Sequence, residues 1–395
     1  MGKKVTIPYC LLQTGYWALA AVAMAYTTPI LQAKGYSGTE IGMLSAIKYG
    51  SVLGFQMALG SFSDKNAKKI PLKYLIIILT VVSMIFTYVF WRSEYNMALA
   101  IVIFVIFGAT INCALALVDS LSIQYMNHGY SLNYTISRGC GSLAWAVFCV
   151  VAGGISDRFG CNQILLFQLL MSAVFILVTV ITPKVDFSGE EQVSEQKSGE
   201  VHTTGYLMCH YPKFLLFLLA IMIIFMGYNM NAMFMVNRIQ ELGGSDFDYG
   251  VAQFVLALAE IPVALWFYRI RKHLKLDTLM IVCAVFCTLR AAGTAFAVTT
   301  TGLILAQGLE LLGLSIFYAG GVFYVMDQVP AADCVKGTSL MNLAGMGLGE
   351  MLGSILCGYL KDAWGLHFVM NASVAVSAIG IFMMFLMTRA ATRNN

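Results

Sequence analysis

The feature that most constrains this chain is a series of apolar segments, each long enough to cross a lipid bilayer. A helix of about 20 consecutive apolar residues spans the hydrocarbon core of a membrane. Twelve segments of this kind occur, near residues 8–31, 40–61, 73–91, 97–124, 134–155, 161–182, 213–236, 248–268, 277–298, 302–326, 336–359 and 366–388. The sequence therefore predicts twelve transmembrane helices.

The composition indicates the same fold class. Hydrophobic residues make up 59% of the chain and charged residues 11%, and the mean hydropathy is +0.77. Soluble domains carry about 25% charged residues. We therefore expect an all-α integral membrane protein. A net charge of +4 is ordinary for such a protein and does not indicate a nucleic-acid partner.

Enzyme and metal motifs are not found in the sequence. The ten cysteines are scattered, mostly through apolar stretches and without a CxxC pair, which favours a packing role over metal binding. The chain contains no G-x-S-x-G, H-E-x-x-H or P-loop sequence. We expect neither enzymatic activity nor a cofactor.

One long hydrophilic stretch interrupts the apolar segments. Residues 183–212 contain Glu190, Glu191 and Glu195 among serine, glutamine and threonine, a composition typical of a flexible linker. This stretch divides the segments six and six. The predicted organisation is an N-terminal six-helix bundle over 1–182, a linker over 183–212 and a C-terminal six-helix bundle over 213–395.

Lysine and arginine are concentrated in alternate loops, by a ratio of about three to one. The rich loops include residues 65–73, 184–213 and 269–275, whereas the poor loops contain isolated cations such as Lys34 and Arg92. Positive loops face the cytoplasm. We therefore predict a multi-pass protein of the plasma (inner) membrane with both termini and the linker in the cytoplasm.

The two halves of the chain resemble each other weakly. FQMALGSFSDKNAKKIPLKYL after the second segment parallels PVALWFYRIRKHLKLDTLM after the eighth, and GGISDRFG parallels GYLKDAWG. The order and the membrane side are the same in both halves, which indicates a parallel repeat. Two six-helix repeats around a central cavity are typical of a transporter, and we expect it to function as a monomer.

Charged residues inside the apolar segments are the main functional signal. They are Lys48, Asp119, Arg138, Glu260, Arg290, Glu310 and Glu350. Each would cost about 2.5–3.5 kcal/mol if it faced lipid at the bilayer centre, so these side chains must face an interior, pair or be neutralised. The signs predict one pair between Asp119 and Arg138, and another between Arg290 and either Glu260 or Glu310.

The first of these pairs has an aromatic neighbour. Trp145 follows Arg138 by seven residues, which is two helical turns, so both side chains share one helix face. Together with Asp119 they could hold a polar, ring-shaped solute. The alternative is a buried ion pair that only stabilises the helix bundle.

A cytoplasmic loop resembles a signature of the major facilitator superfamily. In GSFSDKNAKKIPLK, the residues that match are Gly60, Asp64, Lys65, Lys68 and Lys69, while Ala67 stands where a glycine is usual. The resemblance implies a turn in which Asp64 pairs with basic residues or a helix N-terminus and holds one gate closed. The alternative is simple anchoring by positive charge.

Within that superfamily, short pieces resemble the lactose permease type of oligosaccharide–proton symporter. The pieces are VDSL, SRGCGSLAW, LAEIP and CTLRAAG. The resemblance implies that Asp119 and Arg138 bind sugar hydroxyls and that Trp145 stacks on the sugar ring. By the same resemblance Glu260 contributes to sugar binding, and Arg290 assists the protonatable group of the tenth helix.

The tenth segment departs from that pattern. Where the symporters carry a lysine, a histidine and a glutamate, this chain has Gln307, Glu310 and Gly313. Proton coupling must therefore use a simpler set of groups, and galactoside specificity does not carry over. Our hypothesis is that Glu310, tuned by Arg290, carries the coupling proton, with Glu260 as the second candidate.

The sequence thus favours proton-coupled symport of a small polar solute, resembling a sugar or an oligosaccharide, by alternating access. A drug–proton antiporter and a nucleoside–proton symporter are the alternatives, and a non-transporting membrane sensor is a remote one. The expected partners are the solute and the lipid bilayer, with protons as the coupling ion.

Overall fold

A computed structural model describes residues 4–66, 69–185 and 202–389. These ranges are mostly helical. Their only β-type pairing is an isolated bridge between Lys4 and Ser131. Ten segments within them are long and apolar enough to cross a membrane. Most of the predicted linker, residues 186–201, lies outside the described residues.

The long helices are labelled in chain order. They are α1 (Thr6–Ala25), α2 (Gly38–Asn66), α3 (Leu72–Arg92), α4 (Met97–Asn127), α5 (Tyr134–Phe159), α6 (Cys161–Ile181), α7 (Pro212–Met233), α8 (Asp246–His273), α9 (Leu276–Ala295), α10 (Thr300–Gln328), and α11 and α12 within Ala331–Arg389. Shorter helices cover Thr27–Ala33, Thr204–His210 and Met235–Glu241.

Two features explain why the described ranges contain ten apolar segments but twelve long helices. Ala331–Arg389 bends at Gly365, whose φ of +82° is accessible to glycine at little cost, and the bend separates α11 from α12. Helix α2 is less apolar than the others, since it contains Glu40 and Lys48, yet it is as long as a spanning helix. The prediction of an all-α membrane protein with twelve long helices is confirmed.

Several helices contain irregular turns. A π-helical turn covers Gly108–Asn112 in α4, where a Cβ atom on Gly108 would lie 2.3 Å from the carbonyl oxygen of Lys48 on α2. In α10, a 3₁₀ turn covers Gly308–Leu312, and Gly313 leaves the helical conformation with φ −82° and ψ −130°. Such turns often occur at functional positions.

The chain forms two compact units. Unit 1 comprises Met1–Ser194 with Ser245–Ala257, and unit 2 comprises Glu195–Gly244 with Leu258–Asn395. Each unit has its own apolar core. Helices α1, α3, α4 and α6 build the core of unit 1, with buried side chains that include Tyr9, Ile76, Leu117 and Phe175.

The core of unit 2 is formed mainly by α7, α9 and α10. Phe217, Phe225 and Phe317 are buried there, together with Met280. Phe217 lies against Tyr324 with ring centres 4.3 Å apart, and Phe225 meets Phe317 edge-on at 5.1 Å. Close packing of large aromatic side chains fixes the helices that carry the charged residues described below.

The GGISDRFG stretch at the end of α5 caps the first turn of α8, and the part of α8 up to Ala257 also belongs to unit 1. The carboxylate of Asp157 accepts the backbone N–H groups of Asp246 and Phe247 at 3.0 and 3.1 Å, which places a negative charge at the N-terminus of α8. Ser156 donates to the Asp246 carboxylate. A Cβ on Gly153 would lie 2.3 Å from the Asp246 carbonyl oxygen, so a glycine is required for this approach.

Candidate functional site

In unit 1, Asp119 on α4 is held by neutral side chains. Its Oδ1 atom accepts hydrogen bonds from Gln13 Nε2 on α1 and from the Tyr134 hydroxyl on α5, each at 3.3 Å. Within the described residues, the other carboxylate oxygen, Oδ2, has no hydrogen-bond partner. Asp119 is half-buried, so Oδ2 is left to accept a hydrogen bond from something else.

Arg138 on α5 lies over an aromatic ring. The central carbon of its guanidinium group is 4.3 Å from the centre of the Trp17 ring, a cation–π geometry. Its Nη1 atom donates to Ser142 Oγ at 3.1 Å. Nε and Nη2 have no acceptor among the described residues, so two donor atoms of this half-buried cation remain available for hydrogen bonds.

The predicted ion pair between Asp119 and Arg138 is not formed. No nitrogen of Arg138 comes within 4.0 Å of the Asp119 carboxylate in the described part of the chain. The physical reason is that each group has another contact: the arginine stacks on Trp17, and the carboxylate binds Gln13 and Tyr134. The prediction of direct pairing was wrong, although both residues belong to one cluster.

Trp145 lies beside the same cluster. Its ring centre is 5.9 Å from that of Trp17, with an interplanar angle of 76°, so the two indoles meet edge to face. Trp17 in turn lies against Gly141, where a Cβ would be 2.3 Å from the indole Cδ1 atom. The predicted aromatic surface therefore consists of two half-buried tryptophans.

In unit 2, Arg290 on α9 and Glu310 on α10 form a direct pair. Arg290 Nε and Glu310 Oε2 are 3.3 Å apart, and both side chains are fully buried. The sequence predicted this contact as one of two options. Nearby, Ser315 donates its hydroxyl to the Glu310 carbonyl oxygen across the irregular turn of α10.

Arg290 has further partners that do not depend on Glu310. Its Nη1 atom donates to Gln307 Oε1 at 2.8 Å, and its guanidinium carbon lies 4.1 Å from the centre of the Tyr228 ring. Gln307 also donates to Thr294 Oγ1 at 3.0 Å. In the described chain, neither carboxylate oxygen of Glu310 makes a well-aligned hydrogen bond, so charge attraction rather than a bidentate fork holds the pair.

Glu260 lies on α8, two residues before Pro262, and is half-buried. Glu350 begins the helix that follows the π-helical turn Leu343–Gly349 and is also half-buried. The pair of Arg290 with Glu310, beside the Tyr228 ring, is the contact that the structure gives for the candidate charges of unit 2.

Comparison with protein families identifies the chain. The family model described as "MFS_1 like family" matches residues 14–372, which is most of the sequence. The chain belongs to the MFS_1-like family. It is therefore a multi-pass membrane transporter of the major facilitator superfamily rather than an enzyme, and the resemblance inferred from the sequence is confirmed.

A sugar permease and a nucleoside transporter are among the proteins similar to this MFS_1-like chain. The maltose permease of Geobacillus stearothermophilus is 23% identical over 396 residues, covering 98% of this chain and 95% of the permease. A mutant of the nucleoside transporter NupG superposes with a TM-score of 0.84 at 15% identity, over 97% of this chain and 100% of that one.

A second structure of NupG gives a TM-score of 0.81, also at 15% identity, with 98% and 99% coverage. At such low identity the likeness to NupG establishes the fold alone. For this MFS_1-like chain it supports the twelve-helix architecture described above.

The predicted gate motif is only partly described. Gly60 is half-buried in α2, and its carbonyl oxygen accepts a hydrogen bond from Ser63 at 2.9 Å. Lys69 is exposed. The side chains of Asp64 and Lys65, and the whole of Lys68, lie outside the described residues, so the gate role stays a prediction.

Sequence reasoning missed two central residues of the unit 1 cluster in this MFS_1-like transporter. Gln13 and Trp17 lie one turn apart on α1, and Gln13 is fully buried. The available signal was a glutamine inside an apolar segment, with an indole on the same helix face four residues later. It was overlooked because neither residue is charged.

Proposed function

We propose that this transporter carries a small, hydroxyl-rich solute together with a proton, using the unit 1 cluster for the solute and the unit 2 pair for the proton. The observation that carries the proposal is the set of unused hydrogen-bonding atoms in unit 1. Asp119 Oδ2 and the Nε and Nη2 atoms of Arg138 lack partners in the described chain, and two indoles adjoin them.

Those groups suit a neutral polar ring. A carboxylate oxygen accepts a hydroxyl proton, a guanidinium group donates to hydroxyl oxygens, and an indole packs on the apolar face of a ring. The name of the maltose permease supports a sugar-like solute. For Glu260, a role in solute binding rests on the sequence resemblance alone, and we propose it as the second candidate for the proton site.

A nucleoside is the second candidate solute. A nucleoside combines a hydroxyl-bearing ribose with a planar base, and an indole stacks on a base as readily as on a sugar. The names of the NupG structures favour this possibility. A drug–proton antiporter is less well supported, because the cluster is built from fixed polar contacts rather than from a broad aromatic cavity.

The unit 2 pair suits a group that gains and loses a proton. When Glu310 is neutral, Arg290 still contacts Gln307 and the Tyr228 ring, so the cation is not left without partners. A bidentate ion pair would hold the carboxylate charged more firmly than this contact does. We propose Glu310 as the proton carrier, tuned by Arg290, in a monomer of the plasma membrane with cytoplasmic termini.

Two measurements on purified protein test the proposal. A thermal-shift screen against sugars, nucleosides, organic acids and cationic drugs should give a stabilising solute, and Arg138→Ala should abolish that stabilisation. In proteoliposomes with an imposed proton gradient, Glu310→Gln should lose uphill accumulation of the solute but retain exchange. Undiminished uphill accumulation in Glu310→Gln would exclude Glu310 as the carrier.

A further inference from the structure

We propose that Gln13 is the positioning residue of the solute site, acting on Asp119 directly and on Arg138 through Trp17. The inference rests on the proposed solute site of unit 1. Gln13 is fully buried in α1 and makes three hydrogen bonds. Two of them lead to the proposed acceptor and donor of the solute.

The donor and acceptor roles in this network have only one consistent arrangement. An indole N–H can only donate, so Gln13 Oε1 accepts from Trp17 Nε1 at 3.0 Å. The amide nitrogen Nε2 then faces Tyr9 at 2.9 Å and Asp119 at 3.3 Å. The Tyr9 hydroxyl donates to the Val118 carbonyl oxygen at 3.0 Å, so it accepts from Gln13.

On the acid side, this arrangement selects which carboxylate oxygen remains available. Gln13 and Tyr134 both donate to Oδ1 of Asp119, from α1 and α5 respectively. Because both donors bind Oδ1, Oδ2 is the oxygen atom that remains for the solute. Without Gln13 the carboxylate would lose the donor that comes from the buried side, and its rotation would be less restricted.

Next to Arg138, Gln13 fixes the position of the Trp17 ring, over which the guanidinium group lies. The bond to the indole N–H and the contact with Gly141 hold the Trp17 ring in place. The guanidinium carbon of Arg138 lies over that ring at 4.3 Å, and Nη1 is taken by Ser142. With the cation held there, we infer that Nε and Nη2 of Arg138 are left for the solute instead of reaching Asp119.

The result is an acceptor and a donor that are held by different contacts and are more than 4.0 Å apart among the described residues. A solute that engages both must donate a hydroxyl proton to Asp119 Oδ2 and accept a hydrogen bond from Arg138. The two hydroxyl groups of a diol can do this, and sugar rings and ribose carry such groups.

Three substitutions separate the hydrogen bond from Gln13 to Asp119 from the one that Gln13 accepts from Trp17. Gln13→Leu removes both hydrogen bonds. Gln13→Glu keeps the acceptor for Trp17 but replaces the donor to Asp119 with a carboxylate, and Trp17→Phe keeps the ring but removes its N–H group. Gln168→Leu is the matched control, since Gln168 is a comparably buried amide in unit 1 that bonds to Thr87 on α3.

The measurement is exchange in proteoliposomes, with KM and maximal rate determined for a solute found in the screen and for its analogue lacking one hydroxyl of the diol. Gln13→Leu should raise KM about tenfold for the diol, with little change in maximal rate, and should reduce the preference over the deoxy analogue. Trp17→Phe should raise KM about fivefold.

Gln13→Glu provides a test by pH. Its carboxylate would adjoin that of Asp119, with Tyr9 and Tyr134 as the other titratable neighbours and Arg138 as the nearby cation. Two adjacent carboxylates share a proton more readily than either does alone, so binding lost at neutral pH should partly return in mild acid. Because a protonated glutamic acid resembles glutamine at any buried site, Gln168→Glu is the control, and its solute binding should show no such recovery in mild acid.

The outcomes distinguish the inference from the function on which it rests. If no solute stabilises the wild-type protein, the proposed function fails. If a solute binds, but Gln13→Leu changes KM no more than Gln168→Leu does, the positioning role is excluded while the proposed function survives. Equal losses for the diol and its deoxy analogue would also overturn the specificity role.

Discussion

In unit 1 an acid and an arginine are kept apart by neutral side chains, whereas in unit 2 an acid and an arginine touch. Asp119 and Arg138 are half-buried and are linked through Gln13 and Trp17. Arg290 and Glu310 are fully buried and lie 3.3 Å apart. The two units therefore each hold one carboxylate and one guanidinium group, but only unit 2 brings them into contact.

The difference shows which charges are available to a ligand. A fully buried charge needs its partner, since losing it leaves an uncompensated ion in a medium of low polarity. Half-buried charges that are satisfied by amides, hydroxyls and rings retain hydrogen-bonding capacity. Among the described residues, unit 1 thus has donors and acceptors without partners, whereas unit 2 has an acid and a cation in direct contact.

The largest expected effect is a difference in stability between variants of the two units. Arg290→Gln leaves Glu310 buried without its cation and should lower the free energy of unfolding by about 3–5 kcal/mol. Arg138→Gln should lower it by only about 1 kcal/mol, because Asp119 keeps Gln13, Tyr134 and partial exposure. Chemical unfolding in detergent measures both values.

The double variant Arg290→Gln with Glu310→Gln is the control for that experiment. It removes both charges together and should recover most of the lost stability. If Arg290→Gln proved no less stable than Arg138→Gln, the charge in unit 2 would depend on its partner no more than the charge in unit 1 does.

A second test concerns the dependence of transport on pH. Proton-coupled uptake by the wild type should increase as the external pH falls, since protons drive the solute inward. In Glu310→Gln the remaining exchange should not vary with pH, because the group that takes up the proton has been removed. Arg138→Gln should instead weaken solute binding at every pH. A pH-dependent exchange in Glu310→Gln would place the proton site elsewhere.

A smaller effect is expected from Arg138→Lys. Lysine keeps the positive charge but loses the planar group that stacks on Trp17 and the fork that donates in its plane. Solute affinity should fall about tenfold, while stability changes little. Titration calorimetry with the solute found by screening measures the affinity, and wild-type affinity in this variant would contradict the role given to stacking.

The smallest effects are expected from two variants that each remove one hydroxyl group, one in each unit. Tyr134→Phe removes a hydrogen bond to Asp119 and should weaken solute binding about fivefold. Tyr228→Phe keeps the ring that contacts Arg290, so proton coupling should change less than about twofold. The reverse result, with Tyr228→Phe uncoupled and Tyr134→Phe normal, would contradict both assignments.

Much of the architecture could be predicted because it follows from hydropathy alone. The predicted apolar segments correspond to the observed helices. The contact between Arg290 and Glu310 could be predicted because opposite charges in neighbouring apolar helices have few other partners. What escaped prediction depends on neutral groups. Nothing in the charge pattern indicates that Trp17 takes the guanidinium of Arg138, or that Gln13 and Tyr134 satisfy Asp119.

The GGISDRFG stretch illustrates the same limit. Its likeness to GYLKDAWG indicated a repeat, but the sequence did not reveal that Asp157 caps α8 or that Gly153 makes room for that helix. Such contacts join segments far apart in the chain. They are set by three-dimensional approach rather than by local pattern.

Gly141 has a consequence for how such a transporter can change over evolutionary time. The Trp17 ring rests where a side chain at position 141 would otherwise be, with Cδ1 only 2.3 Å from a Cβ there. Replacing this glycine by alanine requires one nucleotide change and adds one carbon, which would displace the ring together with the arginine above it. The proposed solute site is thus open to selection at a residue that does not itself form part of it.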